Sequence, residues 1–89
     1  MARPYHGYHR SLAGKAAALL DGIVNGHGFV DGNKRTAVIL TRLLIEASGH
    51  DLVLESAEAL EDLAVAVACH EIGGERLARW FAERLARRP

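Results

Sequence analysis

Between His27 and Arg35 the chain reads His-Gly-Phe-Val-Asp-Gly-Asn-Lys-Arg. Nine residues thus gather an imidazole, a carboxylate, an amide and two cations. An imidazole with an ordinary pKa of about 6.5 can take the proton of an attacking hydroxyl near neutral pH, which makes His27 a candidate general base. The carboxylate of Asp31 is a hard oxygen donor suited to Mg²⁺, an ion that usually takes one or two carboxylates together with phosphate oxygens. Gly32 lets the backbone come close to a ligand. Lys34 and Arg35 are badly placed if a helix begins near Asn33. Cations in a first turn oppose the helix dipole by about 0.3–1 kcal/mol each, a cost that an anionic ligand would reverse. Plainer readings stand beside these: His27 as a helix-end residue without chemistry, Asp31 or Asn33 as a helix cap, and Phe29 as a plug anchoring the loop in the core.

Four helices are expected to hold this segment. Residues 1–10 mix Pro, Gly, Tyr and His without a period and read as an irregular lead-in. From Ser11 to about Asn25, Leu12, Ala16, Leu19, Leu20 and Ile23 fall at helical spacing, and Gly26 is a stop. Residues 26–32 form the loop, and a second helix follows from about Asn33 to Ser48, ending at Gly49. Its interior is apolar on nearly every side between Ala37 and Ile45, which predicts a central helix surrounded by neighbours. Ser56 is placed to cap a third helix, whose stripe is Leu60, Leu63, Ala64, Val67 and Ala68 and whose end is Gly73-Gly74. The last helix spans about Glu75–Arg87, with Leu77, Trp80, Phe81 and Leu85 on one face and Trp80 read as core. No alternation is long enough to predict a strand. The fold class is all-α, one domain over residues 1–89.

Composition bounds the function. The chain has 89 residues, 49% of them hydrophobic and 25% charged, with Lys+Arg and Asp+Glu equal at 11 each. It therefore has no net field toward nucleic acid or anionic membrane. A helix-turn-helix reader is disfavoured by that zero net charge, the long loop and the apolar second helix. The charge is uneven: Glu46, Asp51, Glu55, Glu58, Glu61 and Asp62 come without an intervening Lys or Arg, whereas Arg76, Arg79, Arg84, Arg87 and Arg88 crowd the C-terminus. These read as two solvated faces of opposite sign, or as docking sites for a charged partner. The single Cys69 allows no internal disulfide and predicts a buried thiol in a reducing, cytoplasmic setting. His6 and His9 have metal-ligand spacing but no second pair nearby, which argues against zinc. Tyr5 and Tyr8 are equally consistent with nucleotide contact and with packing.

The nine-residue segment resembles the Fic signature: a His, a Phe two places on, an acidic residue, then Gly-Asn-x-Arg opening a helix. The wider run ARPYHGYHRSLAGKAAALLDGIVNGHGFVDGNKRTA resembles Doc-like (death-on-curing) members from the flap through the first core helix. The resemblance implies a Fic-type helical bundle that transfers part of ATP to a protein hydroxyl. His27 would be general base, Asp31 the Mg²⁺ ligand, and Gly32, Asn33, Lys34 and Arg35 would bind phosphates, Arg35 also acting in catalysis. Gly28 departs from the Pro of many members. Lys34 follows the Doc-like pattern, where adenylyl-transferring members have Gly, and so implies γ-phosphoryl transfer to a target such as a translation factor, checked by a cognate antitoxin. Gly32 instead follows the adenylylating pattern, which keeps adenylyl transfer open. A non-catalytic accessory role is the third reading. Relatives usually carry more sequence before the first core helix. A core without that cover is expected to expose apolar surface and to self-associate or bind a partner chain.

Overall fold

The computed structural model describes the backbone of residues 4–26 and 31–88, and the side chains of residues 11–26 and 34–88. Four helices and two short strands follow one another: α1 (Pro4–Gly26), α2 (Asp31–Ala47), β1 (His50–Leu52), α3 (Ala59–Ala68), α4 (Gly74–Arg84) and β2 (Leu85–Arg87). The molecule is mostly helical, as expected, with a small antiparallel sheet that was not.

The residues read as an irregular lead-in from position 4 onward belong to α1. Proline at the opening of a helix is favourable, because its φ is preset and its missing N–H has no acceptor there. Gly7 costs only about 1 kcal/mol relative to Ala. Neither residue stops a 23-residue helix.

The centre of the bundle is α1, and the expectation of a buried α2 is corrected. Leu12, Ala13, Ala16, Ala17, Leu20 and Val24 of α1 are buried in one cluster with Ala37, Ile45, Leu60, Leu63, Ala64, Val67, Leu77 and Phe81. α1 packs against α2, α3 and α4. Its three buried alanines explain why, since small side chains let neighbouring helices approach closely. α2 contacts α1, α3 and β1 on one side and leaves Ile39, Leu40 and Leu43 exposed on the other.

Helix ends depart from expectation for local reasons. α3 starts at Ala59, not beside Ser56, and Glu58 before it makes no side-chain cap bond. The Ser56 carbonyl instead accepts from the Ala59 N–H at 3.3 Å, while Glu61 and Asp62 suit the positive end of the dipole. The helix stops before the glycines: Cys69 is its C-cap, and His70 takes φ 60°, a left-handed turn. Cys69 lies beyond the buried stripe and is exposed, contrary to the expected buried thiol. Gly73 and Gly74 introduce α4 instead of ending α3.

The last helix ends at Arg84, because the next residues pair with β1 in the register His50 to Arg87, Asp51 to Ala86 and Leu52 to Leu85. The Val53 N–H donates to the Arg84 carbonyl at 2.7 Å, and the Arg88 N–H to the Gly49 carbonyl at 2.9 Å, extending the ladder at both ends. The sheet also answers what the two charged runs do. Arg84 forks onto Glu55, with N–O distances of 3.2 and 3.0 Å, and Arg88 Nε donates to Asp51 at 3.0 Å. The basic C-terminus thus pairs with part of the acidic run. The Arg84 hydrogen bond holds the Glu55 carboxyl below its usual range. Trp80 is half-buried against the core, edge-on to Phe81 at 5.1 Å, with the Arg84 guanidinium 4.2 Å from its ring centre.

Gly49 adopts φ +79° after α2, and a Cβ there would meet no atom within 4 Å. The cost of Gly49→Ala is therefore conformational alone. A loss of about 1–2 kcal/mol is expected in chemical denaturation, without change in helix content.

Candidate active site

The segment singled out by its chemistry lies at the junction of α1 and α2. α1 ends at Gly26 and α2 begins at Asp31, two residues before the expected start. Asp31, Gly32, Asn33 and Lys34 therefore form the opening turn, whose N–H groups have no acceptor within any α-helix. Arg35 follows directly. His27, Gly28 and Phe29 lie outside the described residues, as do the side chains of Asp31, Asn33, Tyr5, His6, Tyr8 and His9, so the base, metal-ligand and loop-plug assignments rest on sequence.

The junction is pinned on both sides. Val24 in the last turns of α1 and Ala37 in the second turn of α2 are fully buried. Asn25 adds a polar tie that sequence reading missed. Its amide donates to Asp21 Oδ1 at 2.7 Å and reaches the Val67 carbonyl of α3 at 3.5 Å. An Asp-Asn pair four residues apart on a helix was the available signal; the Val67 contact belongs to tertiary structure.

Lys34 is half-buried and Arg35 exposed, and among the described residues neither takes part in an ion pair, whereas Arg84 and Arg88 do. Lys34 and Arg35 stand in the first two turns of α2, at the positive end of its dipole, a position that an anionic ligand would favour.

The description that fits this segment is that of the Fic/DOC family, whose family model covers α1, the junction and α2 as far as Ile45. Residues 3–45 match the Fic/DOC family. The match takes in a little under half of the chain and leaves α3, α4 and the sheet outside it. It does not separate a Doc-like branch from the rest of the family. Comparison with curated proteins and with solved structures finds no match. Among the described residues no helix is long and apolar enough to cross a membrane.

Proposed function

We propose that the Fic/DOC segment transfers the γ-phosphoryl group of ATP to a hydroxyl of a protein target, of which a translation factor is an example. The reading is supported above all by Lys34 and Arg35, which lack a carboxylate partner among the described residues and follow the opening amides of α2. In this reaction His27 takes the proton of the target hydroxyl, the hydroxyl oxygen bonds to the γ-phosphorus, and the bond to the bridging β–γ oxygen breaks, releasing ADP. Gly32, Asn33, Lys34 and Arg35 hold the phosphates. Position comes from the α1–α2 junction, and charge stabilisation from the helix amides and the two cations. The donor set suits Mg²⁺: Asp31 opens α2 and supplies one carboxylate, leaving the remaining positions to phosphate oxygens and water. When bound, that ion would neutralise phosphate charge. A cognate antitoxin would be the natural regulator of such an activity.

Adenylyl transfer is the second reading, favoured by Gly32, with attack at the α-phosphorus and release of pyrophosphate. ATP labelled at the α or the γ position separates the two. Label from γ alone on cytosolic proteins is expected, and label from α would replace phosphoryl with adenylyl transfer. Lys34→Gly sharpens the distinction: it should reduce γ transfer, whereas an adenylyl transferase should gain from it. No label from either position would leave an accessory, non-catalytic role.

A further inference from the structure

The acidic run of the sequence is only partly used by Arg84 and Arg88, and the carboxylates left over border a groove that the transfer reading does not need. The larger part of this groove, about 470 Å³, lies between α3 with its flanking turns and α4, where Leu63, Ile72 and Trp80 stand beside Glu55, Asp62 and Glu71. A second hollow of about 330 Å³ shares Glu55 and adds Val53 and Glu83. Ile72 and Trp80 are half-buried against the core and Val53 is 61% exposed, so the apolar lining is open to solvent.

The charge along the groove is of one sign. Asp62 and Glu71 are exposed and take part in no ion pair among the described residues, whereas Glu55 and Glu83 share Arg84, the single cation among the described lining residues. Other cations of the C-terminal run lie elsewhere. Arg79 lines a separate cavity with Ala13 of α1, Arg87 and Arg88 join the far end of β1, and Arg76, one turn before Trp80, stands outside the lining. Arg84 also shows which chemistry the groove accepts. Its guanidinium lies 4.2 Å from the centre of the Trp80 ring while it forks onto Glu55, a planar cation held by an aromatic face and a carboxylate. Asp62 and Glu71 repeat the acidic half of that arrangement beside the same apolar wall.

We propose that this groove docks a segment of another protein in which arginines or lysines are interleaved with large apolar residues. The cations meet Asp62 and Glu71, and the apolar side chains cover Ile72, Trp80 and Val53. An acidic rim repels nucleic acid and anionic membrane and attracts a cationic polypeptide. Because the charges are exposed, the attachment is weak and sensitive to salt.

Trp80 is the single tryptophan and lines the groove, so its emission reports occupancy separately from any transfer activity. A short peptide alternating arginine and leucine should shift that emission saturably, with half-saturation between about 10 μM and about 1 mM, and bind less tightly as salt is raised. The same peptide with glutamate in place of arginine should not bind. Asp62→Asn combined with Glu71→Gln should weaken the arginine peptide by about tenfold. Glu46→Gln, on α2 and outside the groove, should leave it unchanged, and circular dichroism would verify that each variant keeps its helices. No saturable binding up to about 1 mM by emission or calorimetry overturns the proposal, as does binding that ignores the Asp62 and Glu71 changes or responds equally to Glu46→Gln. Sedimentation that shows a dimer dissolved by the double variant would give the groove to a second copy of the chain and overturns it too.

Discussion

The variant His27→Ala is expected to lose about 10²–10⁴-fold of transfer rate, the usual contribution of a positioned general base, while its unfolding midpoint stays within a degree or two of the parent. Two arguments set the direction. His27 is the one side chain between Gly26 and Arg35 whose ordinary pKa lies close to neutrality, so it alone exchanges a proton with a hydroxyl there at small energetic cost. Among the described residues, a buried cluster from Leu12 on α1 to Leu85 on β2 already joins the four helices, so the fold is expected to survive a single substitution in the segment between α1 and α2. Label transfer and thermal unfolding should be followed on the same preparation. Lost transfer with an unchanged melt is the catalytic signature. A lowered melt would make His27 a structural residue at the helix junction. Undiminished transfer would move the proton to another group and break the proposed assignment of roles.

The candidate site was legible in sequence because it is local: its residue types, spacing and following helix lie within one short stretch, and Asp31 to Arg35 do open α2. The fold was legible where burial follows a helical stripe, as in Leu60, Leu63, Ala64 and Val67 of α3 or Leu77 and Phe81 of α4. It was not legible where partners distant in sequence decide. β1 and β2 are three residues each and gain their ladder only when the C-terminus returns beside Gly49, so neither shows an alternation of its own. The helical continuation of α4 was a sound reading of Leu85 as the next apolar position. The pairing of Leu85 with Leu52 buries the same side chain in an extended backbone. The misjudged centre has a different cause. An apolar circumference on α2 resembles burial, yet Ile39, Leu40 and Leu43 face outward, while the alanine-rich α1 looked unremarkable because alanines contribute closeness of approach more than hydrophobic bulk.

Phe81→Ala is expected to be the most damaging single substitution in the core, costing about 3–5 kcal/mol. Phe81 is fully buried and among the largest side chains so enclosed, and its loss also removes the edge-to-face contact with Trp80, a geometry worth about 0.5–1.5 kcal/mol beyond area alone. Against a total of about 0.05–0.15 kcal/mol per residue, that loss takes a large share of what a chain of this size has, and partial unfolding at room temperature follows. Urea unfolding followed by circular dichroism should show the midpoint falling steeply. Trp80, the single tryptophan, reports on the same event, since the ring loses one of its neighbours and should become more accessible to a quencher even before unfolding. Phe81→Leu refills part of the space and should cost distinctly less. If Phe81→Ala costs under about 1.5 kcal/mol, the scale of a well-tolerated apolar exchange, then Trp80 and Leu77 have closed over the vacancy. The packing of α4 on α1 would then be adaptable, and the stability of the junction that presents Lys34 and Arg35 would rest on Val24 and Ala37 more than on the far side of the bundle.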